Sequence, residues 1–528
     1  MLRDADMQVP ARLTALRAAS WLIFLGAAAL ALHEPLGGDQ YFFLYGARSL
    51  AEGSVLYIDF WDIKQPGIFW LNGVALQFAN PELAVMLLDM MAWAITAVLL
   101  TRLVERDGGP PSVSIWVPAV VGLLFVAVRP VGAAGQVESF LGVLLASLLS
   151  LVIAPRVSGR AWFVFGLVSG LVMLLKLVWL LAPVLLFAVA FMAGPQRLAM
   201  SRLRDALQAA LPALAGFALV AAAAAATLAR TGSLGEALYV TFVYPFIGLD
   251  QGTAASPDRL VAAVAWSAKA LAGFAALVLA RMMLLRHVRW SRLEWGLLAW
   301  IAAACVLFLI QRLSWWFYHL LPIWAGVMAL GLVAAGRLSA AGRSGNGASW
   351  IGTALVVPAV LCFVFFARGW MMERIDGARA GMLLGARDGY RSVMAPAYVA
   401  IDREVAQLRD RMGGSLRDIC VLGRPYVYFP TQGHCRVAVP ASAIGTLSNE
   451  LWQRWFTDSA AAAPRVIYFE TRFASLLESR CAPMLQWLRT DYVPELVGAG
   501  GTWYVRAAAA PGVARWPPCR TDAPSRAR

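Results

Sequence analysis

A chain of 528 residues that is 60% hydrophobic and only 14% charged departs from soluble globular domains, in which about 25% of residues are charged. Apolar runs recur through its first 370 positions and lack period-2 alternation, so they read as membrane-spanning helices and exclude an outer-membrane barrel. The net charge of +14 sits mostly in short loops between these runs, the distribution that sets membrane orientation, and speaks against a nucleic-acid partner.

Taken in chain order, eleven spans are expected, at 15–32, 82–103, 112–128, 139–154, 161–175, 177–193, 206–229, 261–284, 293–310, 319–336 and 350–367. No small-residue cleavage site follows the first, so it is expected to stay as an uncleaved helix. Arginines such as Arg102, Arg106, Arg160, Arg204, Arg286 and Arg337 fall in alternate loops. That asymmetry places the N-terminus in the cytoplasm and, with an odd number of spans, the C-terminus outside. The short spans beside Lys176 read as two half-depth helices or one broken one.

The expected fold is an all-α polytopic membrane domain over 1–367, with a first outward loop at 33–81, then a small extracytoplasmic α/β domain over 368–510 and a disordered tail over 511–528. Within the α/β domain, β-like runs at 418–423, 464–470 and 502–506 alternate with helical stretches at 400–411 and 473–488. Cys420, Cys435, Cys481 and Cys519 lie there, an even number that suits two disulfides in any of three pairings. No Cys/His spacing suits zinc.

The first outward loop contains "GGDQYFFLYGARSLAEGSVLYIDFWDIKQPG", in which Asp39, Asp59, Asp62 and Lys64 lie just outside the apolar boundary. Tyr41, Leu44 and Tyr45 recur at helical spacing with Arg48 and Glu52 at i, i+4, which reads as an interfacial amphipathic helix ended by Gly53. The plain alternative is an aromatic belt with solvated acids. Three further polar groups adjoin apolar runs: Arg129, Gln136 and Glu138 in "RPVGAAGQVESF"; Lys176, one of only three lysines with Lys64 and Lys269; and Arg312, Tyr318 and His319 in "QRLSWWFYHLLP". A charge inside an apolar run is costly and points to function, the alternatives being a snorkelling lysine and a helix-dipole glutamate. The loop at 230–259 reads as a second amphipathic outward element. Neither a phosphate-binding glycine loop nor a nucleophile elbow occurs, which argues against a soluble nucleotide cofactor.

The order of an acidic dipeptide-like Asp39-Gln40, then "YxxxARSLxEGxxxYxDFWDxKxPG", resembles the polytopic, lipid-carrier-dependent GT-C glycosyltransferases of the bacterial family 39 and 83 type, relatives of protein O-mannosyltransferases and aminoarabinose transferases. The resemblance implies an inverting enzyme of the bacterial inner membrane that moves a sugar from a polyprenyl-phosphate donor to an extracytoplasmic lipid, polysaccharide or protein. Asp39 then takes the place of the general base. Lys64, Arg48, Lys176 and Arg312 are the implied contacts of the donor phosphate, and Gln40, Tyr41, Asp59, Asp62, Glu138, Tyr318 and His319 those of the substrates. Gln40 stands where the family usually has an acid, and Gln65 where it has proline. An amide is a weak metal ligand, so no cofactor is assigned and a divalent metal has less support. The competing functions are a transporter or flippase of lipid-linked glycans, for which no internal repeat is found, and a non-catalytic glycolipid binder.

Overall fold

The computed structural model describes residues 11–127, 135–154, 157–192, 199–251, 256–311, 315–341, 351–435, 437, 447–507 and 517–519. Arg129, Arg312 and most of the tail 511–528 lie outside the described residues.

Helix covers each of the eleven apolar segments. Among the described residues, seven helices are long and apolar enough to cross a membrane: Leu13–Ala31, Pro81–Arg106, Leu203–Arg230, Pro257–Leu284, Arg292–Ile310, Phe317–Ala341 and Ile351–Leu384. The other four segments form the shorter apolar helices Pro111–Val126, Val137–Val152, Gly159–Leu175 and Leu177–Met192. The chain is a multi-pass membrane protein. It divides into two compact units: Met1–Glu34, Val85–Ala221 and Ser256–Asp376 form the first, and Pro35–Ala84, Ala222–Ala255 and Gly377–Arg528 the second. Most of the first outward loop thus belongs with the C-terminal residues, a grouping by contact that a boundary drawn on hydropathy at 367 does not contain.

In the first unit, Leu207, Leu211 and Leu214 are well over half exposed, the side a lipid-facing helix presents. Small residues let backbones meet: a Cβ on Gly166 would run into the carbonyl of Ala213, and one on Gly216 into that of Phe163, the close approach that glycine permits between membrane helices. Helix Gly159–Leu175 stops at Lys176, whose backbone is extended (φ −164°, ψ 100°), and a 3₁₀ turn Leu177–Leu180 leads into Leu181–Met192. The ring of Trp162 lies 5.0 Å from that of Phe187 and 5.6 Å from that of Phe191, so the start of one helix meets the end of the next. These are two antiparallel helices joined at Lys176. A buried ion pair lies in this unit. Arg281 Nε donates to Glu294 at 2.8 Å, both side chains 1% exposed, and Glu294 also closes a capping box with Ser291.

The second unit carries a four-stranded sheet of order β1-β2-β4-β3: β1 is Ile419–Leu422, β2 Val466–Glu470, β3 Tyr492–Val497 and β4 Gly501–Arg506. β1 and β2 pair in parallel and are buried throughout, as continuous apolar runs require. Helix Asn449–Ala462, capped by Ser448, connects them. β3 is an exposed edge strand in which Pro494 can stand without donating a ladder bond. Cys420 is bonded to Cys435, and Cys481 to Cys519.

Helix Gly38–Ala51 forms as expected but does not lie on an interface. Gln40, Tyr41, Phe42, Phe43, Leu44 and Tyr45 are all at most 1% exposed. Tyr41 meets Tyr398, Tyr426 and Phe429, while Tyr45 stacks on Tyr428 at 4.0 Å. Aromatic residues of the C-terminal segment cover the side that the interfacial reading assigned to solvent or lipid.

Gly166→Leu is expected to destabilise the protein by about 1–3 kcal/mol through overpacking, read as a lowered midpoint of thermal unfolding in detergent. Leu211→Ala, on the open side, should move it by less than about 0.5 kcal/mol; equal effects would contradict the close helix crossing.

Candidate active site

Each unit holds one cluster of the residues singled out in the sequence. In the first unit the cluster is built from helix ends. Glu138 lies in the first turn of Val137–Val152, where the dipole favours a carboxylate. Lys176 caps the C-terminus of Gly159–Leu175, Gln311 caps that of Arg292–Ile310, and His319 sits in the 3₁₀ turn Phe317–Leu320 ahead of Leu321–Ala341. Lys176 Nζ donates to Glu138 Oε1 at 2.6 Å and to Gln311 Oε1 at 2.7 Å. His319 Nε2 lies 3.7 Å from the same Glu138 oxygen, and Tyr318 packs its ring on His319 at 4.4 Å. Glu138 and His319 are buried, whereas Lys176 remains 21% exposed. An ammonium carries three N–H donors, and among the described residues two of them are engaged, by Glu138 and Gln311.

The second unit's cluster comes from helix Gly38–Ala51 and the turn after it. Asp39 is half-buried in the helix's first turn. Asp62 is fully buried; its Oδ1 accepts from the Ile63 amide at 2.7 Å, and its Oδ2 lies 3.7 Å from Lys64 Nζ. Burial pushes the Asp62 carboxyl up, Lys64 and the Ile63 amide pull it down, and the charge of Asp39 pushes it up again. The Lys64 ammonium also lies 5.2 Å from the ring centre of Phe43. Tyr57 holds the segment's shape from a left-handed backbone (φ 70°), its hydroxyl donating to the Lys64 carbonyl at 2.8 Å. Gln40 is fully buried and neither amide atom has a hydrogen-bond partner among the described residues.

Other sequence candidates have structural partners. Arg48 donates to the carbonyls of Gly433 at 2.6 Å and Tyr428 at 3.4 Å, which ties the C-terminal segment to its helix. Asp59 is exposed and closes a turn by accepting from the Val55 amide at 2.8 Å. Tyr41 accepts from Arg391 at 3.3 Å, inside a knot in which Arg391 also reaches Glu82, Asp402 and Tyr426. Sequence reasoning missed Gln311, a neutral amide at the head of an aromatic run, and Asp89, a fully buried carboxylate that accepts from the Gly135 amide at 3.1 Å. Asp89 was legible as an acid within an apolar span. Among the described residues no group of three or more His, Cys, Asp or Glu side chains is arranged to hold a metal ion.

No protein-family model matches the chain, and no curated protein matches it. Its backbone does match solved structures. One is ArnT from Cupriavidus metallidurans bound to undecaprenyl phosphate, at 14% identity and a TM-score of 0.54 over 95% of this chain and 99% of that one. Another is the same protein in the apo state, at 16% identity and a TM-score of 0.53 over 93% and 98%. The chain has the fold of the GT-C membrane glycosyltransferases.

A carboxyl with a raised pKa holds its proton more readily when folded, so its stabilising contribution is present below the unfolded value and is lost as pH rises through the folded one. Relative to Asp62→Asn, the wild-type protein should therefore lose thermal stability as pH rises above the ordinary value of 3.8. A difference between the two that does not change with pH would contradict the burial of an ionising Asp62.

Proposed function

We propose that the protein is a membrane glycosyltransferase that transfers a sugar from a polyprenyl-phosphate carrier to an extracytoplasmic acceptor with inversion at the anomeric carbon. The observation that carries this reading is the polar site built at helix ends around Lys176. A partly buried ammonium held by Glu138 and Gln311 suits a phosphate that arrives on a lipid, since hydrocarbon can solvate a polyprenyl chain while its head group needs a charged donor. The GT-C fold and the undecaprenyl phosphate named with one ArnT structure support the same donor class.

The chemistry needs three acts. Lys176, with Lys64 as the second candidate cation, holds the donor phosphate and stabilises the charge that grows on it as the bond to the sugar breaks. Asp39 accepts the proton of the acceptor hydroxyl. The acceptor oxygen then bonds to the anomeric carbon from the face opposite the phosphate, and the phosphate leaves with the electron pair as polyprenyl phosphate. Asp62, its pKa raised by burial and by Asp39, and paired with Lys64, keeps the local field suited to one ionised base. His319 and Tyr318 are proposed to line the sugar's path, and Gln40 to turn its buried amide toward a substrate hydroxyl. The membrane is proposed to be the bacterial inner membrane, with the N-terminus cytoplasmic and the C-terminal residues outside.

In lipid nanodiscs supplied with polyprenyl-phosphate sugars, Asp39→Asn is expected to lower transfer by about 10²–10⁴-fold while leaving donor binding intact. Lys176→Met should instead weaken donor binding. Full transfer by Asp39→Asn, or unchanged donor affinity in Lys176→Met, would overturn the respective role.

A further inference from the structure

A polar cleft of about 650 Å³ lies within the second unit, and none of the residues assigned to transfer lines it. Its base is Arg391, 5% exposed, which is held by Glu82 at 3.2 Å, Asp402 at 3.2 Å and the Tyr426 hydroxyl at 2.9 Å. Two more arginines stand at the rim. Arg387 donates to Glu82 at 2.7 Å while its side chain stays 56% exposed, and Arg409 donates to the Pro430 carbonyl at 2.5 Å. A guanidinium carries five N–H donors, so both rim arginines keep most of their donors beyond the bonds they make among the described residues. The Arg391 knot does not require either of them.

The lining charges select the ligand. Three guanidiniums against two carboxylates leave one net positive charge. That balances one carboxylate, whereas a phosphate monoester, at about −1.5 to −2, would leave excess negative charge beside Glu82 and Asp402. The planar fork of arginine matches a carboxylate in two parallel hydrogen bonds. The half-exposed oxygens of Asp402 and the partly exposed Glu82 can accept from hydroxyl groups, and Phe429 adds an apolar wall. The volume falls in the range of small-molecule sites. We propose that this cleft binds a saccharide bearing a single carboxylate, a uronic-acid glycan, with Arg387 and Arg409 on the acid and Glu82 and Asp402 on the hydroxyls. That this saccharide is the sugar acceptor rests on the transferase reading; that it binds the cleft does not.

The test is calorimetric titration of the full chain in nanodiscs with cellobiouronic acid, its methyl ester and cellobiose phosphate, with binding of polyprenyl phosphate measured separately. The acid should bind about tenfold more tightly than the ester, the worth of one charge-assisted hydrogen bond, and more tightly than the phosphate. Arg387→Gln and Arg409→Gln should each remove that preference without changing polyprenyl phosphate binding. Equal binding of acid and ester, tighter binding of the phosphate, or a preference that survives both substitutions would overturn the assignment. Saccharide binding as expected without any sugar transfer leaves the cleft standing and sinks the transferase reading; transfer to another acceptor without acid binding does the reverse.

Discussion

The ammonium of Lys176 has to be kept within a helical unit rich in apolar side chains, and the local architecture around it follows from that need. A buried charge is tolerated only where partners meet it. Helix interiors have spent their backbone groups on themselves, so the partners come from helix ends. Lys176 stands where one helix stops, and Glu138, Gln311 and His319 each stand where another begins or ends. The extended backbone at Lys176 is the local cost of presenting the lysine there instead of continuing the helix. Close helix crossings at Gly166 and Gly216 brace the hairpin to which it belongs.

The second unit meets the opposite demand, which is to bury a sequence rich in acids and aromatic rings. Arg391 answers it by linking residues far apart in the chain: Glu82 is 309 positions away and Tyr41 is 350. Around that guanidinium, Tyr41, Tyr398 and Tyr426 pack ring on ring, and burial raises the pKa of all three, so their hydroxyls serve as neutral donors and acceptors. Asp62 is less fully served, its second oxygen lying 3.7 Å from Lys64. A half-satisfied buried acid is expensive to maintain, and such places are where function is commonly found.

Much of this was legible in the chain. Long apolar runs gave the spanning helices because hydrocarbon imposes its own length on sequence, and Lys176 drew attention to the break because a charge inside an apolar run is costly. The β-runs at 418–423, 464–470 and 502–506 correspond to β1, β2 and β4, while β3 escaped because Pro494, Glu495 and exposure erase its apolar signal. The helix at Gly38–Ala51 was recognisable, but its cover was not. Its aromatic spacing is the same whether lipid or protein lies against it, and the rings that settle the matter lie more than 350 positions later. Gln311 and Arg391 were hidden for a related reason: a neutral amide and one arginine among many carry no local sign of their partners. For the candidate site, the sequence exposed the charged residues, while which of them are engaged in holding the fold, as Arg48 and Asp59 are, depended on three-dimensional neighbours.

On the proposed reading, in which Asp39 takes the proton of the acceptor hydroxyl, the reaction is a direct displacement, in which the acceptor oxygen attacks the sugar with no intermediate on the protein. The central claim is therefore stereochemical. The most direct measurement is the anomeric configuration of the product formed from a polyprenyl-phosphate sugar carrying ¹³C at its anomeric carbon, read by its one-bond carbon–proton coupling. The account predicts inversion relative to the donor. Retention would contradict it, because retention requires a covalent intermediate or attack from the phosphate's own face.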